Sequence, residues 1–148
     1  MPIRKGTRSD IPDALKLIKE LAVYEKAGDQ VVTTVQSMEE DGFGPNSIYE
    51  FYVADDGANI VGLALFYYRY STWKGRRLYL EDLIVTENAR GQGVGKQLLD
   101  QLIVHARNNK CTGLMWQVLE WNTPSIEFYK RKYNAVLDGE WLNCSIEI

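Results

Sequence analysis

Apolar residues recur at spacings of three and four through Ile11, Ala14, Leu15, Ile18, Leu21 and Ala22, the period of a helix with one buried face. Asp10 as N-cap, Pro12 in the first turn and the acidic Asp13 mark its start, and Gly28 is expected to mark its end. Pro2 to Lys5 ahead of it predicts a short strand. Thr33 and Gln36 have capping-box spacing and predict a second, short helix that stops near Gly42. From Tyr49 the period changes to two. Tyr49 to Ala54 and Ile60 to Tyr70 alternate aromatic and β-branched residues around the turn-forming cluster Asp55 to Asn59, which predicts a β-hairpin. A turn at Lys74 and Gly75 leads to a third strand from Arg77 to Val85. The helical period returns with Leu98, Leu99, Leu102, Ile103 and Ala106. A strand from Leu114 to Leu119, a helix from Asn122-Thr-Pro124 to about Lys132, and closing strands at Ala135 to Leu137 and Trp141 to Ile148 complete the chain. This order predicts an α/β fold with a mixed, mostly antiparallel central sheet flanked by helices.

The 148 residues suit a single domain, with 45% hydrophobic and 25% charged side chains, twelve glycines and four prolines, the composition of a folded globular chain. Seventeen basic against twenty acidic side chains leave a net charge of -3 and a pI near 5.2, which disfavours a sequence-independent grip on nucleic acid or an anionic membrane. Apolar runs such as Ile60 to Tyr68 fall short of the ~20 residues that span a bilayer. Cys111 and Cys144 make no spaced framework, so a reducing cytoplasm is the expected compartment. With His105 the only histidine, a histidine triad or a histidine-rich metal site would have to be built around that one side chain. His105 shares a helical face with Leu98 and Leu102, where a packed imidazole is the expectation. The chemistry is expected to fall to carboxylates, tyrosines, lysines or backbone amides, with no metal.

Arg90-Gly-Gln-Gly-Val-Gly95 lies between a predicted strand and a predicted helix. Glycines there let the backbone turn its amides inward, and the helix adds its positive end, so the loop suits a pyrophosphate; it equally serves as a plain tight connection. Neither a Walker lysine-serine pair nor the first-strand placement of a dinucleotide fold is present, which argues against ATP and NAD. Upstream, Leu78-Tyr-Leu-Glu-Asp-Leu-Ile-Val85 sets two carboxylates in an apolar strand. Neighbouring strand residues point to opposite faces, so one of Glu81 and Asp82 is expected to face a cleft as a candidate base, a solvated edge or salt bridge being the alternative. Downstream, Asn122, Ser125 and Tyr129 recur at helical offsets.

Strand, R-G-x-G-x-G loop, helix, strand and N-x-x-S-x-x-x-Y helix together resemble the GNAT superfamily of acetyl-CoA-dependent N-acetyltransferases. Leu17-Ile-Lys-Glu-Leu-Ala22, Tyr24-Glu25, Asp41-Gly-Phe-Gly44, Leu78 to Asp82, Glu120-Trp-Asn122 and Pro124 to Arg131 are similar to the group of spermidine/spermine and thialysine N-acetyltransferases. The resemblance implies a cytoplasmic homodimer that transfers acetyl from acetyl-CoA to a small amine in a ternary complex. It implies that Leu83, Ile84 and Val85 run beside the pantetheine arm, and that Arg90, Gly91, Gln92, Gly93, Val94, Gly95 and Lys96 hold the pyrophosphate. Asn122 and Ser125 would contact the cofactor arm, and Tyr129 would protonate the leaving thiolate. Glu81 would take the proton of the incoming ammonium, and Tyr24, Glu25 and Trp73 would border the amine pocket. Ser71 stands where the polyamine branch carries Asp. A lysine-like substrate is therefore expected over a long polyamine, its carboxylate met by Lys74, Arg76 or Arg77. A CoA-binding sensor without turnover and a peptide or protein N-acetyltransferase with an open groove are the alternative readings of the same fold.

Overall fold

Five strands, Ile3–Lys5 (β1), Glu50–Asp55 (β2), Ile60–Ser71 (β3), Gly75–Val85 (β4) and Gly113–Trp116 (β5), hydrogen-bond in the order β1-β2-β3-β4-β5. The first four are antiparallel neighbours and β5 runs parallel to β4. This is the mixed, mostly antiparallel sheet that the alternating patterns predict. The computed structural model describes residues 2–148, which fall into one unit up to Gln117 and a second from Val118 to Ile148.

In the first unit the period-two alternation sorts side chains onto two faces. Phe51, Val53, Leu63, Leu65 and Ile84 project to one face and form a core with Ile11, Ala14, Leu15 and Leu17 of helix α1 (Ile11–Tyr24) and Met38 of helix α2 (Val35–Phe43). The other face is covered by helix α3 (Val94–Asn108), whose Val94 and Leu98 lie over Gly62 and whose His105 ring meets the Phe66 ring edge-on at 4.7 Å between centroids. Phe51, Phe66, Leu98 and Leu102 are fully buried, each such side chain contributing about 1.5–3 kcal/mol. No helix among the described residues is long and apolar enough to cross a membrane.

Three local expectations shift. The Asp10 carboxylate does not cap α1; it accepts from Arg4 Nη1 and Nη2 at 2.8 and 2.9 Å and from the Thr7 amide at 2.8 Å. These donors hold it down at about 2 and close the turn that leads into the helix. Helix α1 stops at Tyr24, ahead of Gly28, because Lys26 takes the left-handed conformation (φ 62°) that reverses the chain. The capping box of α2 is formed one residue later than Thr33 and Gln36. Ser37 N donates to Thr34 Oγ1 and Thr34 N to Ser37 Oγ, at 3.1 and 3.0 Å.

The second unit holds helix α4 (Thr123–Tyr133), opened by Asn122, whose side-chain oxygen accepts from Ser125 N at 3.4 Å. Asn134 closes it in the left-handed conformation (φ 55°), supplying the terminal geometry usually left to glycine. The closing strands expected at 135–137 and 141–148 are not formed. Asp138 instead folds the chain locally, accepting from Glu140 N and Trp141 Nε1 at 3.0 and 3.2 Å. Val136, Leu142 and Ile146 are almost fully exposed, and an alternating sequence becomes a strand only with a ladder partner.

Candidate active site

Strand β4 carries the site. It pairs with β5 only from Arg77–Gly113 to Leu80–Trp116, then continues to Val85 while still paired with β3. From Glu81 onward its other edge has left β5, so main-chain groups there face away from the ladder. At the parting point Leu65 pairs with Asp82 and Phe66 with Leu80, which leaves Glu81 as the extra residue of a bulge. A bulge bends the strand and re-aims the side chain it carries.

Glu81 is exposed and accepts from the Tyr67 hydroxyl at 3.0 Å. Burial, aided by the Glu81 charge, pushes the Tyr67 phenol up to about 12. Asp82 is pushed up to about 6, first by burial and then by the charges of Glu81 and Glu25. Burial also raises Glu25, at the C-terminal end of α1. Three carboxylates thus share one neighbourhood that favours a cation. Beyond Tyr67 lies an open hollow of about 740 Å³, lined also by Phe43, Tyr49, Phe51 and Tyr68. Among the described residues no group of three or more His, Cys, Asp or Glu side chains is placed to hold a metal ion.

The glycine loop runs from the end of β4 into α3. Gly91 and Gly93 both hold positive φ, 79° and 80°, and a Cβ at either would enter open space. The first hydrogen bond inside α3 is Gln97 N to Gly93 O, 3.0 Å. The amides of 94–96 precede that bond and lie at the positive end of the helix, so the loop fits a pyrophosphate. Its two cations are engaged within the protein. Lys96 pairs with Asp100 at 2.7 Å. Arg90 donates from Nε to Val85 O at 2.9 Å, lies 5.6 Å from the Tyr24 ring centroid and reaches Glu20 at 3.5 Å.

The structure therefore groups Glu25, Glu81 and Asp82, and ties Tyr24 to Arg90 at the mouth of the loop. It does not bring Ser71 and Trp73 to this group. They sit at the β3–β4 turn, where Ser71 Oγ accepts from the amides of Trp73 and Lys74 at 3.2 and 3.0 Å. Ser71 pairs with Gly75, roughly 20 Å along β4 from Glu81 at the rise of an extended strand. Arg76 in turn donates to Asn109 O at 3.0 Å. In the second unit, Asn122 is buried as the cap of α4 and Ser125 supplies the capped amide. Tyr129 lies two turns into the same helix, half-buried, its ring 5.6 Å from that of Phe128. Sequence reasoning missed Tyr67, Glu20 and Thr86. The spacing Glu20 to Tyr24 is one helical turn and was the available signal.

Comparison with known proteins gives the family of the chain. The acetyltransferase (GNAT) family pattern matches residues 17–134. A thialysine N-epsilon-acetyltransferase of Bos taurus is 39% identical over 136 residues, covering 86% of this chain and 80% of the bovine protein. A spermidine/spermine N(1)-acetyltransferase-like protein 1 of Homo sapiens is 36% identical over 145 residues, 93% of this chain and 21% of the human one. Among solved structures, an integron cassette protein from the mobile metagenome of V. cholerae superposes with a TM-score of 0.79 at 25% identity, covering 99% of this chain and 91% of that one. An aminoglycoside acetyltransferase from an uncultured soil metagenomic sample gives 0.81 at 18% identity, over 99% and 96% of the two chains. The chain belongs to the acetyltransferase (GNAT) family and is an N-acetyltransferase.

Proposed function

We propose that the protein transfers acetyl from acetyl-CoA directly to a primary amine of a small lysine-like compound or diamine. The observation that carries this reading is the parting of β4 from β5 at Leu80, which opens a main-chain edge beside the Glu25, Glu81 and Asp82 carboxylates and ahead of the glycine loop. Acetyl-CoA, when bound, supplies the thioester acetyl group. Residues 91–96 would hold its pyrophosphate, and Leu83, Ile84 and Val85 would pair with the pantetheine arm as an added strand does. Asn122 and Ser125 are assigned to the same arm.

The acceptor arrives as an ammonium, drawn by the three carboxylates, and only the neutral amine has a lone pair to attack. Glu81 takes that proton, with one oxygen oriented by Tyr67. Tyr129 is assigned the proton that the leaving sulfur would need as the N–C bond forms and the C–S bond breaks. Tyr24 and Glu25 border the amine, and the hollow beyond Tyr67 leaves room for its carbon chain. The same reading includes a single catalytic domain and a homodimer in a reducing cytoplasm; it is supported by two free cysteines and by the exposed apolar side chains of residues 136–148.

The test is CoA release from acetyl-CoA over a panel of amines, with products identified by mass. Acetylated thialysine and short diamines are expected. Failure of every amine to release CoA from a protein that binds it would overturn the reading in favour of a sensor.

A further inference from the structure

Helix α1 and the coenzyme loop meet at one carboxylate. Glu20 Oε1 accepts from the Thr86 hydroxyl at 2.8 Å, and Glu20 Oε2 accepts from the Glu87 amide at 3.2 Å and from Arg90 Nη2 at 3.5 Å. All three donors come from the five residues between the end of β4 and the first glycine of the loop. One turn further along α1, on the same side, the Tyr24 ring lies under the Arg90 guanidinium. The Arg90 Nε bond to Val85 O closes the segment on itself.

A glycine loop presents its amides to a ligand only if its entry is held, because each glycine adds backbone freedom that must be lost on binding. Here the segment is short, holding a single 3-10 turn over Glu87–Ala89 with only Ala89 buried; Thr86 N ties its start to Val61 O of β3, and Glu20 fastens it to a regular helix. A carboxylate with three donors from one segment has little freedom of its own. We propose that Glu20 is a positioning residue for the coenzyme: it fixes residues 86–90 against α1, and thereby sets the glycine loop where the pyrophosphate lies. The same contact joins the loop to the helix end that carries Tyr24 and Glu25. This rests on the reading of residues 90–96 as the pyrophosphate site.

The variants Glu20→Leu, Glu20→Gln and Thr86→Val test it, with CoA affinity measured by calorimetry and the two substrates' KM values measured separately. Glu20→Leu is expected to weaken CoA binding roughly tenfold, the scale of losing charge-assisted hydrogen bonds that position a site. Acetyl-CoA KM should rise in step while kcat stays within about twofold of wild type. Glu20→Gln keeps an acceptor for Thr86 and should fall between. Thr86→Val should weaken binding less than Glu20→Leu, and the double variant should be no worse than Glu20→Leu alone, because both changes cut one connection. A lowered melting temperature with unchanged CoA affinity and KM would make Glu20 merely structural and overturn the proposal. Gly93→Val serves as the control for the underlying reading. If it binds CoA like wild type, the loop is not the pyrophosphate site; if it loses CoA while Glu20→Leu does not, only the positioning role fails.

Discussion

The Tyr67 hydroxyl donates to Glu81 Oε1 at 3.0 Å, joining β3 to the bulged residue of β4. With its own ionisation pushed up to about 12, Tyr67 remains a donor throughout the neutral range. It therefore orients one carboxylate oxygen and, on the proposed reading, leaves the other for the acceptor. Glu81→Gln should lower kcat/KM by about 100-fold and flatten the acidic limb of its pH profile, since the amine loses its base. Tyr67→Phe should cost less, about tenfold, and keep the limb, because only orientation is lost. Rate profiles from pH 5 to 10 decide between them, and a Glu81→Gln profile that matched wild type would reassign Glu81 to structure.

Asp82 carries a stability cost. Its carboxyl titrates near 6 in the folded protein against 3.8 as an isolated side chain. Between those values the folded state holds the proton and the unfolded state does not, so stability falls as pH rises through that window and stays lower above it. Asp82→Asn should therefore stabilise the fold by about 1–3 kcal/mol at pH 8 and by nothing below pH 3.5. Urea titrations at the two pH values measure the difference. Equal effects at both would mean that the charge is not the cause.

Tyr129→Phe removes one oxygen from the α4 helix. If that hydroxyl delivers the leaving-group proton, kcat should fall by roughly 10²- to 10⁴-fold with CoA affinity near normal. Calorimetry and steady-state rates on the same preparation separate the two quantities. A loss smaller than threefold would take Tyr129 out of the mechanism.

His105 lies between two phenols, Tyr52 on Nδ1 at 3.0 Å and Tyr68 on Nε2 at 2.9 Å. Burial lowers its affinity for a proton, Glu50 opposing and Lys5 reinforcing that shift. The unfolded chain thus binds a proton near pH 6.5 while the folded chain still refuses it, and stability drops as pH falls from 6.5 toward the folded value. Asp82 acts in the opposite direction over pH 4 to 6. His105→Asn should remove the His105 contribution, so that its stability declines less than that of wild type between pH 7 and pH 5. Parallel slopes would refute the assignment.

Much of this is legible in the sequence. The alternation through Phe51, Val53, Leu63 and Leu65 gives the hairpin and its buried face, because period two has one physical reading when a core is available. The glycine loop and the α4 start follow from local rules as well. What failed were places where a local signal has a competitor outside its own element. Asp10 has the right spacing to cap α1, but Arg4 lies on a neighbouring strand and takes the carboxylate. Trp141 to Ile148 has strand composition, yet a strand needs a partner that composition cannot supply. The Glu81 bulge is a matter of register between β3 and β4, and Glu20 meets residues 86–90 across 66 to 70 positions of sequence. Neither has a short-range signature.

The separation of β4 from β5 divides labour along one strand. On the proposed reading its main chain, which every amino acid possesses, would be the part offered to the donor, while the side chains of Glu81 and Asp82, which substitution can change, would face the acceptor. Replacing Leu83 or Ile84 with another β-former would leave that edge intact, whereas altering Glu81 or Asp82 would rewrite the charge that, on that reading, an amine meets. A scaffold built this way can change the nitrogen it acylates while keeping the same acyl carrier.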